Sequence, residues 1–450
     1  MAIGTITFRS SIENLNHGFT WAKEQALAYV HDDGPGTGKW YEAALPGRNA
    51  FCMRDVGHQA EGAAALGLEA HTWNMLYLFA KSISKERDYC GYWEITGEGR
   101  PCPDDYESDL DFWYNLPGSF EVIVTCYLQY LWTGDETYLT DPVFLEFYRQ
   151  SCGELVRQWD LDQDGILEHY PRQGRRGIAT YNETDINIKA GADMLASQYA
   201  AYGCMARIEM LNRNRKSAEE YLERQRALKA QYLTKWHRGG KKGFYGALLR
   251  NGNFLEAYHD TGNFLPIRFG LLDGEPEMHE AIDQMIGHEP VNVEERSYYP
   301  QIFYRCGKRE RGLHYLLSLC DPGLERKEYP EVSYALIGTV VNWLMGIRRE
   351  ETGEIVTCSA LPEGESARVE QLPIAGSVIC VEHTDGKETV FENCTDEPVR
   401  WKAVLTGNYE RIFSQGETLA CGHEKNAAGE EVSYIIREVK GGERVSVLCP

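Results

Sequence analysis

A short segment of the sequence carries polar side chains whose types suit a ligand rich in hydroxyl groups. Arg54 and Asp55 are adjacent in it, and His58 and Gln59 follow within about one helical turn. A guanidinium group presents several N–H donors in a fixed plane, and a carboxylate beside it supplies acceptors. Sugars are the ligand class that most needs this mixture. We therefore predict that Arg54, Asp55 and His58 bind a sugar, although an Arg–Asp pair with a purely structural role has the same local sequence.

A second segment mixes aromatic and acidic residues. Trp93 lies in Tyr-Trp-Glu-Ile, and residues 104–115 read Asp-Asp-Tyr-Glu-Ser-Asp-Leu-Asp-Phe-Trp-Tyr-Asn. The face of an indole or phenol ring stacks on a sugar ring, while carboxylates accept hydrogen bonds from sugar hydroxyl groups. We predict that Trp93, Asp111 and Trp113 shape a sugar subsite. The alternative is an acidic surface loop whose aromatic rings fill the core.

Two further segments place carboxyl groups where loops enter helical patterns. Glu183 and Asp185 lie in Thr-Tyr-Asn-Glu-Thr-Asp, and Glu328 and Glu331 flank Pro330. Hydrolysis of a glycosidic bond needs two such groups, an acid that protonates the leaving oxygen and a base that activates water. Helix capping and the helix dipole also favour carboxylates at helix starts, which is the alternative for these residues.

A third loop-to-helix entry contains His259 and Asp260, in Tyr-His-Asp-Thr-Gly-Asn. We predict that both residues line the same pocket as the carboxyl groups. A hydrogen-bonded histidine with a structural role is the alternative for His259.

Motifs for several other chemistries are absent from the sequence, among them the nucleophile elbow, the zinc-protease motif, the phosphate-binding loop and the dinucleotide fingerprint. The acidic stretch 160–168 begins like a calcium loop. Its twelfth position is Pro171, whereas a calcium loop has a glutamate that binds the ion there. We interpret this stretch as a tight acidic turn, and we predict no metal site and no cofactor.

The composition narrows the class of protein. The 450 residues carry a formal net charge of −22, which disfavours nucleic acids and anionic membranes as partners. No apolar run approaches the roughly 18 residues of a membrane span, and no secretory signal is recognisable in the first residues. Thirteen cysteines occur without zinc or disulfide spacing, which is typical of the cytoplasm. We expect a cytoplasmic protein, and its oligomeric state stays open.

Hydrophobic periodicity predicts the elements that position these residues. From about Phe19 to Ile347 the apolar residues keep helical spacing, for example at Phe120, Val124 and Leu128. About eleven or twelve helices alternate with loops that carry the unusual polar and aromatic residues. Alternating helices around one core, with the chemistry gathered in loops at one end, favour a helical barrel over a simple bundle.

The spacing of the apolar residues changes from helical to alternating after Glu351. Short alternating segments such as 378–381, 388–391 and 399–404 are separated by Gly, Asp, Asn and Pro turns. This pattern is typical of a small antiparallel β-sandwich. We therefore predict a mainly α protein with a helical catalytic barrel at 1–350 and a C-terminal β-sandwich domain at 351–450.

Over residues 17–347 the sequence resembles the six-hairpin glycosidases, distantly of the α-L-rhamnosidase and glucoamylase types. Arg54-Asp55 looks like the pair with which glucoamylase-type members bind the terminal sugar. The segment 180–185 is similar to the acid-bearing loop of related exo-glycosidases. Glu331 and the helical pattern through Ile347 resemble the final helix of the rhamnosidase type, whose base precedes that helix.

This resemblance implies an (α/α)6 barrel and an exo-acting, inverting glycoside hydrolase. Its substrate would be a small oligosaccharide or glycoside. In this hypothesis Glu183 is the general acid, with Asp185 in reserve, and either Glu331 or Glu328 activates water.

Two alternatives remain open from the sequence. A sugar epimerase or lyase on the same barrel would use His58 or His259 for proton transfer. A carbohydrate-binding protein without catalytic activity would use the same aromatic and polar loops.

Overall fold

A computed structural model describes residues 3–170, 172–183 and 187–449 of the chain. Helices predominate in its earlier part and strands in its last part. The helices are α1 (Glu13–Ala28), α2 (Met53–Ala65), α3 (Glu69–Ser82), α4 (Leu116–Thr133), α5 (Thr137–Thr140), α6 (Pro142–Gln150), α7 (Val156–Trp159), α8 (Ala192–Leu211), α9 (Arg215–Gln231), α10 (Thr261–Arg268), α11 (Met278–Ile286), α12 (Val293–Arg305), α13 (Arg309–Cys320) and α14 (Pro330–Gly338). π-helical turns continue α6, α9 and α14 at Ser151–Leu155, Tyr232–Trp236 and Thr339–Leu344.

Six of these helices contact one another in a closed circular order. Helix α2 packs against α4, α4 against α8, α8 against α10, α10 against α12, α12 against α14, and α14 against α2. The longer helices between them in sequence lie outside this ring. Helix α1 packs against α14, α3 against α2, α9 against α8, α11 against α10, and α13 against α12. Inner and outer helices therefore alternate along the chain.

The burial of side chains separates inner from outer helices. Most residues of α4 are buried, as expected for a helix with neighbours on every side. Asn115 caps α4 by accepting a hydrogen bond from the Gly118 N–H at 3.2 Å, and Gly134 ends it with a φ of 73°. In α9 only Ala218 and Leu228 are buried, and its charged residues face solvent.

Two glycines allow α2 to approach both of its neighbours in the ring. A Cβ atom at Gly62 would lie 2.1 Å from the carbonyl oxygen of Tyr334 in α14. A Cβ atom at Gly57 would lie 2.7 Å from Cγ of Glu121 in α4. Any larger residue would push α2 outward, so the sequence of α2 sets the close packing of the ring here.

Apolar residues keep helical spacing over about 56–84, which predicts a single helix, but the structure divides this segment into α2 and α3. Helix α2 ends at Ala65, and the chain turns at Gly67 with a φ of 78° before α3 begins at Glu69. Glycine adopts this left-handed conformation without steric cost, which permits the sharp change of direction between an inner and an outer helix.

The strands are β1 (Thr7–Ser10), β2 (Val30–Gly34), β3 (Gly38–Tyr41), β4 (Ala50–Cys52), β5 (Glu94–Thr96), β6 (Tyr106–Ser108), β7 (Asp111–Asn115), β8 (Arg175–Ile178), β9 (Ile188–Gly191), β10 (Ala247–Leu249), β11 (Arg348–Arg349), β12 (Ile355–Cys358), β13 (Ser366–Ile374), β14 (Ser377–Thr384), β15 (Glu388–Asn393), β16 (Val399–Thr406), β17 (Arg411–Ser414), β18 (Glu417–Ala420), β19 (Gly422–Lys425), β20 (Glu431–Val439) and β21 (Arg444–Leu448). Within the helical part, β4 runs directly into α2, β7 into α4 and β9 into α8. These short strands fix the directions in which three inner helices begin.

The C-terminal part contains two sheets. One has the strand order β1-β13-β14-β15-β21-β17-β18 and the other has the order β11-β12-β16-β20-β19. The rings of Phe391 in the first sheet and Trp401 in the second stack with centroids 5.0 Å apart. The predicted multi-strand β region is therefore present.

The prediction that all its strands are antiparallel was wrong for one pair. Strands β12 and β16 are parallel, with Ile355 opposite Trp401. A parallel pair needs a long crossover connection. Strands β13, β14 and β15 provide it, because they lie between β12 and β16 in sequence but belong to the other sheet.

The helical and β parts share a strand and several contacts. Strand β1, near the start of the chain, pairs with β13, and Phe8 lies opposite Val369. Nε2 of His383 lies 2.9 Å from the carbonyl oxygen of Met345. The predicted division at residue 350 thus leaves one strand of the larger sheet on the helical side. No helix in the part of the chain that the structure describes is long and apolar enough to cross a membrane.

Candidate active site

The first turns of three inner helices carry charged residues that act on one another. Helix α2 begins with Arg54 and Asp55, α12 with Glu294, and α14 with Glu331. A helix start has free backbone N–H groups and the positive end of the helix dipole, so it favours carboxylates. Because these starts lie at one end of the ring, residues far apart in sequence form one site.

Arg54 brings together several of the residues predicted from the sequence. Its guanidinium group donates hydrogen bonds to the carbonyl oxygen of Tyr181 at 2.5 Å and to Oε1 of Glu183 at 2.9 Å. Its Cζ lies 4.9 Å from the ring centroids of Trp93 and Tyr181. Only 14% of the Arg54 side chain is exposed, against 45% for Glu183. Asp185, the reserve acid, lies outside the described residues.

The carboxyl groups of Asp55 and Glu331 lie close enough for each to change the pKa of the other. Burial raises the pKa of Glu331 to about 7, and the charge of Glu294 adds to this shift. Burial also raises the pKa of Asp55 well above its ordinary value, as does Glu331, whereas Arg54 opposes the change. Two adjacent carboxyl groups in a poorly solvated site cannot both ionise readily, so the pair retains a proton near neutral pH.

The backbone around Glu331 is also held. With the Gln59 amide in the orientation that matches donors to acceptors, its oxygen accepts a hydrogen bond from the N–H of Glu331 at 3.2 Å, and its nitrogen donates to the carbonyl oxygen of Glu42 at 3.2 Å. Oε2 of Glu331 is buried, and no N–H or hydroxyl group of the described residues donates a hydrogen bond to it.

The structure reveals an ion pair between Glu121 and Arg268 that the sequence did not predict. The Tyr181 hydroxyl donates a hydrogen bond to Glu121, and Arg268 donates another to Oε1 of Glu121 at 3.3 Å. Glu121 is 1% exposed and lies in the otherwise apolar middle of α4. A lone acid in such a helix needs a buried partner, and this was the signal available in the sequence.

His58 lies inside the ring, 2% exposed. Nε2 lies 2.7 Å from Oγ of Ser297, and the imidazole stacks on Tyr298 with centroids 3.7 Å apart. Burial, together with the positive charge of Arg268, lowers the pKa of His58 well below its ordinary value. His58 is thus a neutral side chain packed behind the charged residues, and direct sugar binding by it stays a prediction.

Trp93 and Trp113 line one small cleft with Asp105 and Tyr106. Trp93 is 8% exposed, and Trp113 is partly buried. Asp111 instead pairs with Arg176, whose Nε lies 3.1 Å from Oδ1, and both side chains are more than 40% exposed. The structure therefore brings the two tryptophans together and places Asp111 in a surface ion pair.

His259 lies behind the loop that carries Glu183. It is 4% exposed, and its Nε2 lies 3.3 Å from Oγ1 of Thr180. Buried Asp193, at the start of α8, accepts hydrogen bonds from Oγ1 of Thr180 at 2.8 Å and from Oγ1 of Thr261 at 2.8 Å. Asp193, which sequence analysis missed, thereby ties this loop to the first turn of α10.

Asp260 precedes α10 with a φ of 34°, an unusual conformation for a residue other than glycine. Burial raises the pKa of its carboxyl group, and His259 and His288 oppose the shift.

Glu328 lies at the surface, three residues before Glu331. Its backbone carbonyl oxygen accepts hydrogen bonds from the Tyr29 hydroxyl at 2.5 Å and from Nε2 of Gln25 at 3.3 Å. Of the two candidate bases, Glu331 is therefore the buried one that shares the site with Asp55.

Two groups of possible metal ligands occur among the described residues. Glu94, Cys102 and Asp105 lie together, but Nε of Arg48 is 2.6 Å from Oε1 of Glu94 and supplies positive charge there.

The second group is Asp160, Asp162 and Asp164, in the predicted acidic turn. Asp160 accepts hydrogen bonds from the backbone N–H groups of Asp164 and Gly165, and Lys189 lies 3.0 Å from Asp162. Backbone hydrogen bonds and an ion pair therefore engage the carboxylates of Asp160 and Asp162.

Comparisons with known proteins find similarity in structure but not in sequence. No protein-family model and no curated protein matches this sequence. A GH78 family rhamnosidase from Bacillus sp. GL1 has a TM-score of 0.62 at 13% identity, over 85% of this chain and 40% of that chain. An α-L-rhamnosidase from Dictyoglumus thermophilum has a TM-score of 0.61 at 12% identity, over 100% of this chain and 51% of that chain.

A glycosidase variant in complex with glucose has a TM-score of 0.54 at 11% identity, over 73% of this chain and 98% of that chain. The present chain thus spans about half or less of the two rhamnosidases. These likenesses confirm the resemblance to the six-hairpin glycosidases at the level of the fold.

Proposed function

We propose that this protein is an exo-acting glycoside hydrolase that removes a terminal sugar from a small oligosaccharide or glycoside. The observation that carries the proposal is the buried Asp55–Glu331 pair beside the Arg54–Glu183 ion pair. A carboxyl group whose pKa is about 7 exchanges its proton readily at neutral pH, as acid–base catalysis requires. The aromatic rings of Trp93 and Tyr181 beside Arg54 suit a sugar ring.

In this proposal Glu331 is the base that activates water and Glu183 is the acid that protonates the leaving oxygen. Arg54 and Asp55 hold the terminal sugar, and Trp93 and Trp113 contact it or the next residue of the substrate. For an inverting enzyme the two catalytic carboxyl groups are expected about 6.5–9.5 Å apart. The first-formed product should therefore have the opposite anomeric configuration to the substrate, which NMR of the fresh product tests.

The reverse assignment is favoured by one observation. A pKa of about 7 keeps Glu331 about half protonated at neutral pH, so Glu331 is also a competent acid, with Glu183 then acting as the base. Both assignments use the same two residues in the same site.

Substrates with different leaving groups separate these assignments. A dinitrophenyl glycoside needs no protonation of its leaving oxygen, whereas an alkyl glycoside does. The variant that lacks the acid should hydrolyse only the first substrate, and the variant that lacks the base should hydrolyse neither. We expect Glu183→Gln to hydrolyse only the dinitrophenyl glycoside, and we expect Glu331→Gln to hydrolyse neither substrate. Full activity of Glu331→Gln on both substrates would contradict the proposal.

We further propose that the closed ring of inner helices, with the alternating outer helices, is an (α/α)6 barrel. We also propose that the catalytic part extends to about residue 350 and that the β-sandwich begins at 351, with β1 added to it from the start of the chain.

A sugar epimerase or lyase that uses His58 or His259 is the second enzyme class. Their exposures of 2% and 4% leave little room for contact with a substrate. Incorporation of oxygen from labelled water into a free reducing sugar supports hydrolysis over either alternative. Sugar binding without any turnover would instead indicate a carbohydrate-binding protein.

A further inference from the structure

At the edge of the candidate site, Glu294 and Arg326 form an ion pair that links two inner helices. The guanidinium group of Arg326 donates a hydrogen bond to Oε1 of Glu294 at 2.9 Å. It also hydrogen-bonds the Tyr329 hydroxyl and lies 4.1 Å from the centroid of that ring. Tyr329 immediately precedes α14, and its N–H donates to the Arg326 carbonyl oxygen at 3.2 Å. Arg326 therefore joins the first turn of α12 to the start of α14.

The first turn of α12 is also tied to α2. Oγ of Ser297 donates a hydrogen bond to the carbonyl oxygen of Glu294 at 2.6 Å. The same Oγ lies 2.7 Å from Nε2 of His58. Since Asp55 belongs to α2 and Glu331 to α14, these two links fix the backbone of Glu294 relative to both members of the carboxyl pair.

We propose that Glu294 and Arg326 are positioning residues that set the proton affinity of the Asp55–Glu331 pair. Glu294 lies in the first turn of α12, which packs against α14, and its negative charge raises the pKa of both members of the pair. Arg326 neutralises part of that charge and holds the Glu294 side chain in place. The inference rests on the proposed function, in which Glu331 exchanges a proton during catalysis. Neither residue needs to touch the substrate for this role.

Other charged groups also face the pair. Arg54 and Glu183 lie beside Asp55, but their charges oppose each other in their own ion pair. Glu42 and Glu328 share the neighbourhood of Tyr29 with Glu331. The charge of Glu294 raises the pKa of both Glu331 and Asp55, and its own partner, Arg326, comes from a separate loop.

The two charges predict opposite shifts of the pH profile. Glu294→Gln removes a negative charge, so Glu331 loses its proton more easily. The limb of the kcat/KM profile that reports the titration of Glu331 should therefore move to lower pH. Arg326→Gln removes the positive charge, so the same limb should move to higher pH. Each shift should be roughly half to one pH unit, since both side chains are more than a third exposed and partly screened. The directions hold whether Glu331 is the base or the acid.

A matched pair elsewhere serves as the control. Glu146 and Arg149 lie on the outer helix α6, 2.6 Å apart, with exposures similar to or greater than those of Glu294 and Arg326. Glu146→Gln and Arg149→Gln should leave the limb in place. Unmoved profiles for Glu294→Gln and Arg326→Gln, or shifts in the same direction for both, would overturn the inference.

NMR titration of carbon-13-labelled glutamate side chains separates failure of this inference from failure of the proposed function. The Glu331 signal is assigned by its loss in Glu331→Gln, and its midpoint should fall in Glu294→Gln and rise in Arg326→Gln. If these midpoints move although no glycoside is hydrolysed, the inference stands and the proposed activity fails. If Glu331→Gln abolishes hydrolysis and the midpoints do not move, the inference fails alone.

Discussion

At the scale of single residues, the burial of Glu331 raises its pKa and thereby makes the stability of the fold depend on pH. The group is 7% exposed, and burial raises its pKa to about 7. An unfolded chain would bind this proton only near the ordinary glutamate pKa of about 4.5. Between about pH 4.5 and pH 7 the folded protein therefore holds more protons at Glu331 than the unfolded chain does. The stabilising effect of that proton is present at low pH and is lost as pH rises through 7.

Glu331→Gln should consequently stabilise the protein at neutral and higher pH. The expected gain in the free energy of unfolding is up to roughly 3 kcal/mol at pH 8 and near zero at pH 4.5. Denaturant unfolding of both proteins at several pH values measures it. A gain of equal size at every pH would contradict the assignment, because only a titrating group gives a pH-dependent difference.

Arg54 has two kinds of contact that a lysine cannot reproduce together. It donates to Tyr181 and Glu183, and its Cζ lies 4.9 Å from the ring centroids of Trp93 and Tyr181. Arg54→Lys keeps the charge but loses the planar fork, so KM should rise about tenfold or more, with a smaller change in kcat. Steady-state kinetics and calorimetry of sugar binding test this. Arg149→Lys, in the exposed ion pair on α6, is the control and should leave both constants unchanged.

At the scale of elements, the distance between α2 and α14 decides whether Asp55 and Glu331 meet. Gly62 lies where α2 crosses α14, and a Cβ atom there would lie 2.1 Å from the carbonyl oxygen of Tyr334. Backbone cannot yield as a flexible side chain does. The absence of a side chain at Gly62 is thus a requirement of the site as well as of the core.

Gly62→Ala should destabilise the protein by about 1–3 kcal/mol and also reduce activity, because α2 and α14 must separate. Thermal unfolding and kcat measure the two effects. Gly240→Ala is the matched control: a Cβ atom at Gly240 meets nothing within 4 Å, so stability and activity should stay close to those of the unaltered protein. Unchanged stability of Gly62→Ala would mean that the helices shift apart at little cost.

Helical periodicity predicted most helices but could not assign them to the inner or outer layer. Helix α4 differs from α9 by being buried nearly all round, and this difference was visible in the composition of its residues. The end of α2 was not predicted because the apolar spacing continues across Gly67, where the chain turns. Local sequence predicts the type of an element more reliably than its end.

At the scale of the whole molecule, Phe8 connects the β region to the helices. It lies in β1, opposite Val369 of β13, and its ring centroid is 5.1 Å from that of Phe19 in α1. Phe8→Ala should cost about 3–5 kcal/mol, and the helical signal in circular dichroism and the β-sheet band in infrared spectroscopy should be lost in one transition. Thr7→Ala alters an exposed neighbour in the same strand and should have little effect. Separate transitions for the two signals would show that the parts unfold independently.

The sequence alone determined the helical and β regions, and it singled out Arg54, Glu183 and Glu331 as candidate polar residues. These follow from periodicity and residue type, which are local properties. It could not determine which carboxyl groups share a proton. Asp55 and Glu331 are separated by most of the chain, and only the ring of helices places their helix starts side by side.

The tertiary structure also decided the surroundings of each candidate. It buried His58 and His259, left Glu328 exposed and revealed Glu121, Asp193, Glu294 and Arg326. Burial and neighbouring charge depend on side chains from distant segments, and they set proton affinity far more than residue type does. For this reason the sequence indicated candidate residues by their type, whereas the fold decided which of them lie together and how they are surrounded.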